Sequence, residues 1–469
     1  GNYYPIVRLL APYALIFFRQ SGKAMKISIA PLFLKKVLIH PAVTRGVLML
    51  GLIVPCASAQ TLDDAIRATL RTNPDVLASH YSVRAAEELK NQARGGYFPS
   101  LDVVLAGGRE RSNNTTTRAL GEDDLSLTRA ERSIRLTQLI YDGSATRNLV
   151  KQQSALVDAA LARLVGTQEN ISLRAIQVYL ESLRRAVVVG LAEENLGYHE
   201  ETLGKIIERF ESGVGTKVDV VQTRGRRAQS KSNVLLSQRD AKNGVAEFYR
   251  VVGERPTMLV EPQAVGGVPG TLEQALELAL ANNPGLKAVE AELEAAIAAR
   301  RQAKGVFYPR FDLEIGATRN DDTDGSVGAN DDESAVIRMS YNIYRGGADR
   351  ARLNEAEARE FALRESVRSS QRAVEEDVTL IWNELQDILM RLEYLDAYVK
   401  STEEVLSVYV EQLTLGKRTL LDLLDVQNEL LRAQISKVSG EYIALLARYR
   451  VLASTGRLLE TLEINPETL

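Results

Sequence analysis

The chain of 469 residues carries one series of motifs twice, and this duplication limits the folds that it can adopt. Each copy has a Thr-Leu helix start, an Asn-Pro stop, an aromatic-Pro step and a Tyr-x-Gly step. They lie at Thr61-Leu62, Asn73-Pro74, Phe98-Pro99 and Tyr141-Asp142-Gly143, and again at Thr271-Leu272, Asn283-Pro284, Tyr308-Pro309 and Tyr344-Arg345-Gly346. A duplication must be identified before local motifs are interpreted. We therefore predict a first structural repeat over 60–265 and a second, with a C-terminal equatorial segment, over 266–469, joined across the Pro- and Gly-rich stretch 254–270.

A long stretch without proline follows each Tyr-x-Gly step. There is no proline between Ser100 and Arg255 or between Arg310 and Asn465. From the strand pattern to the next glycine-rich turn each stretch has about 70 residues, which as one helix would span roughly 100 Å. A helix of that length needs support, so we expect coiled-coil-like packing against neighbouring helices.

Two segments in each copy alternate between apolar and polar residues with a period of two. Such alternation is typical of strands with one apolar and one wet face. The apolar positions are Leu101, Val103 and Leu105, then Ile134, Leu136 and Ile140, and in the second copy Phe311, Leu313, Ile315 and Ala317, then Ile337, Met339, Tyr341 and Ile343. A half-buried hairpin of a soluble protein is an alternative that the pattern alone leaves open.

A turn-and-cap motif follows each long stretch. In the second copy, Gly416 marks the end of one helix and Thr419 is the expected N-cap of the next. Asp422 and Asp425 lie three residues apart on one face of that helix's first turns, where the helix dipole favours carboxylates. The first copy repeats the layout with Gly213, Thr216 and Asp219.

The N-terminal region 1–59 has the pattern of a secretory signal. Basic residues precede the apolar run 46–54, and Ala57-Ser58-Ala59 forms a small-residue cleavage box. Because the first methionine is Met25, residues 1–24 can lie upstream of the true start. Removal of this region takes away seven basic and no acidic residues, so the mature chain is acidic and unsuited to nucleic acid.

Cysteine and histidine usage argues against a metal or disulfide framework. The three His and the single Cys supply no zinc or iron-sulfur ligand set. Cys56 could carry a lipid anchor, but Pro55 directly before it fits that processing poorly. The stretch 320–331 imitates a calcium loop, yet it ends in Asp instead of a bidentate Glu and is flanked by strand patterns.

Other polar residues are interpreted as structural. His80 and His199 have no ligand partners nearby in sequence, and the basic cluster 224–231 is expected to be a solvated helix face. No P-loop, nucleophile elbow or dinucleotide fingerprint occurs. We therefore predict no cofactor, no metal and no enzymatic activity.

Together, the doubled openings, aromatic-Pro steps, Tyr-x-Gly helix starts and turn-and-cap motifs resemble the TolC-type outer-membrane channel proteins of Gram-negative bacteria. The resemblance runs from about Thr61 to Gly456. It implies a mainly α-helical fold with a β-barrel portion: long helical hairpins of three chains form a tunnel, and four strands per chain build a twelve-stranded transmembrane barrel. Four strands cannot close a barrel, because single-chain membrane barrels have at least eight.

The resemblance also assigns roles to individual residues. It implies that Asp422 and Asp425 form a ring at the periplasmic pore constriction, and that Arg418 is a gate latch with Asp219 as its acceptor. The hairpin turns are those at Gly213, Thr216, Gly416 and Thr419. One departure is Leu413, which stands where the best-known member of the family has a tyrosine of the constriction.

The implied function is that of a homotrimeric exit duct in outer-membrane lipid, extending into the periplasm. Energy would come from an inner-membrane ABC transporter or proton-driven pump through a periplasmic adaptor, since the chain has no P-loop. Export of polypeptides by type I secretion is favoured here for two reasons. The first is the overall family likeness, and the second is that many dedicated drug-efflux members are lipoproteins, whereas Pro55 makes Cys56 a poor lipid-anchor site. Efflux of small toxic molecules is the alternative.

Overall fold

The computed structural model describes residues 59–119, 121–263 and 265–465. The expected signal region, with Met25, Cys56 and all but the last residue of its cleavage box, lies outside this part of the chain, as do residues 466–469.

The order of helices and strands repeats along the chain. The first copy has α1 (Leu62–Thr72), α2 (Pro74–Gly95), β1 (Ser100–Ser112), a short α3 (Thr115–Ala119), β2 (Leu125–Tyr141), α4 (Ala145–Glu211) and α5 (Lys217–Val252). The second has α6 (Leu272–Asn282), α7 (Pro284–Ala303), the 3-10 turn Lys304–Phe307, β3 (Arg310–Asp321), β4 (Ala329–Ser340), α8 (Ala348–Thr414), α9 (Leu420–Ser454) and a short α10 (Leu458–Thr461).

The Asn-Pro steps stop one helix and start the next. Asn73 ends α1, and its side-chain oxygen accepts a hydrogen bond from the amide of Asp75 at 3.0 Å, so it also caps α2. Pro74 occupies the first turn, where a missing amide hydrogen costs nothing. Asn283 plays the same two roles between α6 and α7.

The two longest helices, α4 and α8, have 67 residues each, which corresponds to roughly 100 Å. The helix α4 packs against α2 and α7 and also against α5 and α9, while α8 packs against α7 and α9. The expectation of long helices supported by neighbours is therefore confirmed. In the described part of the chain, no helix combines the length and the hydropathy that a membrane-spanning helix needs.

The main core lies where the two repeats meet, around the middle of α4. Its largest buried side chains include Tyr179 of α4, Phe248 of α5 and Tyr449 of α9. The hydroxyl of Tyr179 accepts a hydrogen bond from the amide of Val260 at 3.0 Å and lies 2.8 Å from the carbonyl oxygen of Gln60. These contacts hold the connection between the repeats against the first helices.

A buried carboxylate fixes the C-terminal segment to this core. The carboxylate of Glu169 on α4 accepts hydrogen bonds from the amides of Leu458 and Leu459 at 3.1 and 3.2 Å. Burial raises the pKa of Glu169 to about 7, against the lowering effect of the two amides.

The strands form one antiparallel sheet in the order β1-β2-β3-β4. Leu313 lies opposite Ile337 and Phe311 opposite Met339, so these residues share an apolar face. The other face is polar, and there the guanidinium of Arg338 donates to both carboxylate oxygens of Glu314 at 2.6 and 2.8 Å.

Two details of the strands differ from the expected pattern. The strand β4 ends at Ser340, so Tyr341 and Ile343 continue the alternation without belonging to the sheet. A register shift between Leu139 and Tyr141 places Tyr141 opposite Phe311 and leaves Ile140 unpaired. Bulges of this kind are common at the rims of barrels.

Candidate functional site

The two turn-and-cap motifs form helical hairpin tips with the same local structure. At the first tip, Gly213 adopts a left-handed φ of 79° after α4, and the amides of Val214 and Gly215 donate to the carbonyl oxygen of Arg209 at 3.0 and 2.9 Å. At the second tip, Gly416 has φ 68° after α8. Glycine suits these positions because its φ can be positive without a Cβ clash.

Each tip starts its second helix with a reciprocal cap. The amide of Asp219 donates to the Thr216 hydroxyl at 3.2 Å, and the Thr216 amide donates back to the Asp219 carboxylate at 3.1 Å. Thr419 and Asp422 make the same pair of bonds at 3.3 and 3.2 Å. The hydrogen bonds from Thr419 are the main cause that lowers the pKa of Asp422. The cap therefore favours the ionised form of Asp422.

The two tips pack against each other through an apolar cluster. Ile206 and Val220 of the first hairpin meet Leu420 and Leu424 of the second, and Leu413 packs against them. Leu413 thus contributes apolar packing at the position where the family resemblance would place a tyrosine. The cluster brings the expected site residues of both repeats to one end of the molecule.

The expected latch, Arg418, contacts residues of its own hairpin. Its guanidinium lies 4.6 Å from the ring centroid of Tyr409, and its Nε donates to Gln412 at 3.2 Å. Its distance to the Asp422 carboxylate is 3.9 Å. Among the described residues of one chain, Arg418 and Asp219 form neither a hydrogen bond nor an ion pair.

A different ion pair joins the two hairpins. The guanidinium of Arg226 on α5 donates to the carboxylate of Asp425 on α9 at 2.5 Å. Sequence reasoning placed Arg226 on a solvated face and so missed it. A usable signal was its position two helical turns after Asp219, on the same side of α5 as the cap of the first tip.

Beyond this pair, a buried polar network links α4, α5 and α9. The side chain of Asn195 donates to the carbonyl of Gln427 at 3.2 Å and accepts from Ser230 at 3.0 Å. Gln427 in turn donates to the hydroxyl of Thr202 at 3.3 Å. The three helices are therefore held together by polar as well as apolar contacts.

His199, interpreted from the sequence as structural, lies fully buried in the same region. Neither ring nitrogen has a hydrogen-bond partner at proper geometry within the described residues, although Asn428 comes near the ring. Burial is the main cause that lowers the pKa of His199, and the positive charge of Arg226 adds to it. Burial thus favours the neutral form of this imidazole at the junction of the two hairpins.

The exposed carboxylates give this end of the molecule an electrostatic character. Asp425 is more than half exposed and Asp422 more than a third, so both carboxylates are available to solvent and ions at the tip. Across the described ranges, no group of three or more His, Cys, Asp or Glu side chains is placed to hold a metal ion. Exposed carboxylates of this kind attract cations.

The sequence profile described as "outer membrane efflux protein" matches residues 65–254 and 275–457. The chain is 26% identical over 419 residues to the outer membrane efflux protein BepC of Brucella suis, an alignment that covers 89% of this chain and 90% of that protein. It is 22% identical over 416 residues to the alkaline protease secretion protein AprF of Pseudomonas aeruginosa, which covers 85% of both.

The structure is also similar to a solved one. The outer-membrane channel OprN superposes with a TM-score of 0.73 at 20% identity, over 84% of this chain and 90% of that chain. Together with the profile match, this likeness confirms the expected fold class, long helical hairpins with four strands for a shared barrel.

Proposed function

Because the chain belongs to the outer membrane efflux protein family, we propose that it is the passive outer-membrane exit duct of a tripartite type I secretion system. It is an outer-membrane channel and not an enzyme. In the proposal, an inner-membrane ABC transporter delivers a polypeptide through a periplasmic adaptor, and this chain supplies the path across the outer membrane.

The sheet gives the reason for a trimer. It has two open edges, β1 and β4, and open edges are not tolerated in hydrocarbon because their backbone groups have no partners. Three copies joined edge to edge supply the strands of a closed barrel. The helices α4 and α8 then continue as a tunnel of roughly 100 Å.

The observation that carries the proposal is the union of both hairpin tips at the far end of the long helices. The apolar cluster around Leu420 and Leu424 holds the tips together, and Asp422 and Asp425 lie beside it. We infer that in the trimer these aspartates form a ring at the periplasmic constriction. Arg418 and Asp219 would form their latch between copies or in another state, since one chain does not pair them.

Two kinds of cargo remain candidates, each with its own support. Polypeptide secretion is supported by the similarity to AprF, whose name describes secretion of a protease. The poor lipid-anchor context of Cys56 points the same way. Small-molecule efflux is supported by the similarity to BepC, named as an efflux protein.

A deletion strain tests the proposal. Loss of the gene should remove at least one large protein from the culture supernatant, and the wild-type gene on a plasmid should restore it. Susceptibility to detergents and hydrophobic antibiotics is measured in the same strains. Unchanged secretion together with raised susceptibility would favour small-molecule efflux as the function. If neither secretion nor susceptibility changed in the deletion strain, both hypotheses would be contradicted.

A further inference from the structure

The apolar face of the sheet ends at a line of charged residues. Since paired residues share a face, the residues that continue this face towards the β1–β2 and β3–β4 loops can be read from the register. The first charged residue after the apolar positions is Arg109 on β1, Arg132 on β2, Arg319 on β3 and Glu333 on β4.

This line is slanted relative to the hydrogen-bonded rows. Arg132 and Arg319 lie directly opposite each other, whereas Arg109 comes four residues beyond the partner of Arg132 and Glu333 comes before the partner of Arg319. Strands in a closed barrel are tilted by about 35–45°, so residues at one height must shift along successive strands. The slant is thus what a boundary at constant height produces.

The opposite margin of the sheet has different chemistry. Exposed aromatic side chains lie there, next to the helices, including Phe98 at 69% and Tyr344 at 81% exposure. Aromatic residues are typical of membrane interfaces. The arginine-bearing margin lies on the loop side, away from the periplasmic helices, and therefore at the external leaflet.

We propose that Arg109 and Arg319 bind phosphate-bearing headgroups of the lipids in the external leaflet. Arg109 takes part in none of the ion pairs found among the described residues, and it is exposed. Arg319 has only a loose pair with Asp331 at 3.6 Å, with both side chains more than half exposed. By contrast, Arg132 is held by Asp321 at 2.6 Å. A guanidinium matches phosphate oxygens in a bidentate fashion, so Arg109 and Arg319, which no close ion pair holds among the described residues, are suited to this contact.

The inference depends on the location in the outer membrane and is independent of the cargo. Its competitor is a contact between copies: β1 and β4 are the sheet edges, so Arg109 of one copy can approach Glu333 of the next. That contact would stabilise the trimer without lipid, and the lipid contact would not.

Binding of diphosphoryl lipid A to the purified trimer in neutral detergent tests the proposal. Native mass spectrometry counts bound lipid, and the trimer dissociation temperature reports stabilisation. The double variant R109Q/R319Q should lose about thirtyfold in affinity, the equivalent of ~1 kcal/mol per arginine. The matched control R135Q/R338Q removes the same charge from the polar face of the same sheet and should stay within twofold.

Several results would overturn the lipid contact. One is an unchanged affinity of R109Q/R319Q for diphosphoryl lipid A, and another is an equal loss of affinity in both double variants. A third is the same stabilisation of the trimer by dephosphorylated lipid A. Stabilisation by inorganic phosphate alone would replace the lipid by a free anion. Failure of R109Q/R319Q to form trimers in lipid-free detergent would assign these arginines to contacts between copies. The channel conductance of the variants is measured in planar bilayers as well. A loss of lipid binding with normal conductance would concern the lipid contact alone and leave the proposed duct function untouched.

Discussion

At the scale of single residues, the pair between Arg226 and Asp425 sets the charge of the hairpin tips. Both side chains are partly exposed, so the pair adds little to stability, about 0–1 kcal/mol. Its effect is electrostatic, because the guanidinium offsets one of the two carboxylates proposed for the constriction. It also ties α5 to α9, the second helices of the two hairpins.

Substitution of Arg226 by Gln should therefore increase the preference of the channel for cations. The measurement is the reversal potential in planar bilayers under a KCl gradient. Arg227→Gln is the matched control, because the partner of Arg227 is Glu200 on α4 and its loss leaves Asp425 paired. A shift of equal size in the control would show that only the net charge of α5 matters.

His199 should make the hairpin junction sensitive to acid. Its pKa in the folded protein is lowered below 6.5, mainly by burial. Below pH 6.5 the unfolded chain therefore takes up a proton that the buried ring does not, and the free energy of unfolding falls as the pH falls. The positive charge of Arg226 on α5 also lowers the pKa of His199, and Asp425 on α9 pairs with Arg226.

The comparison of native protein with His199→Gln isolates this effect. Thermal unfolding between pH 7.5 and 5 should show a shallower loss of stability in the variant. Glu169 acts in the opposite direction, because its raised pKa of about 7 gives a stabilisation that is lost as the pH rises through that value. Glu169 is present in both proteins, so its effect cancels in the comparison. Identical pH profiles of the two proteins would show that His199 does not cause the acid sensitivity.

At the scale of helices and strands, the two faces of β3 should tolerate charge differently. Leu313 and Glu314 are neighbours on opposite faces of the sheet. An arginine at the lipid midplane costs about 2–4 kcal/mol, so Leu313→Arg should reduce the yield of assembled trimer in the outer membrane. Glu314→Arg loses the pair with Arg338 but stays in water and should assemble. Equal yields from both variants would count against the assignment of the faces.

Most elements were predictable from sequence because their signals are local. The caps formed by Thr61, Thr216 and Thr419 with an Asp three residues later need only the first turn of a helix. The end of β4 was missed because side-chain alternation continues past the last backbone hydrogen bond. The pair between Arg226 and Asp425 was missed because its members are 199 residues apart and meet only when the two hairpins pack.

At the scale of the whole molecule, Arg418 should act on the closed state of the trimer. In one chain it is held by Tyr409 and Gln412 of the same hairpin, so its charge is kept at the tip. Arg418→Ser removes this countercharge next to Asp422 and should raise the single-channel conductance of the closed state in planar bilayers. Arg418→Lys keeps the charge and should raise it less; equal conductance of all three proteins would exclude a latch.

The ring of aspartates is a property of three copies together. Asp422 and Asp425 from each chain place six carboxylates around one axis in the proposed trimer. Like charges so close repel one another, but the cap from Thr419 lowers the pKa of Asp422 and so favours its ionised form. The ring should therefore stay negative at neutral pH and favour cations.

Asp422→Ala with Asp425→Ala should move the reversal potential in a KCl gradient towards zero. Asp422→Asn with Asp425→Asn removes the same charges but keeps an oxygen acceptor for the cap, so it should lose selectivity equally while retaining stability. If only the alanine variant lost selectivity, the cause would be the broken cap, and these aspartates would not line the constriction.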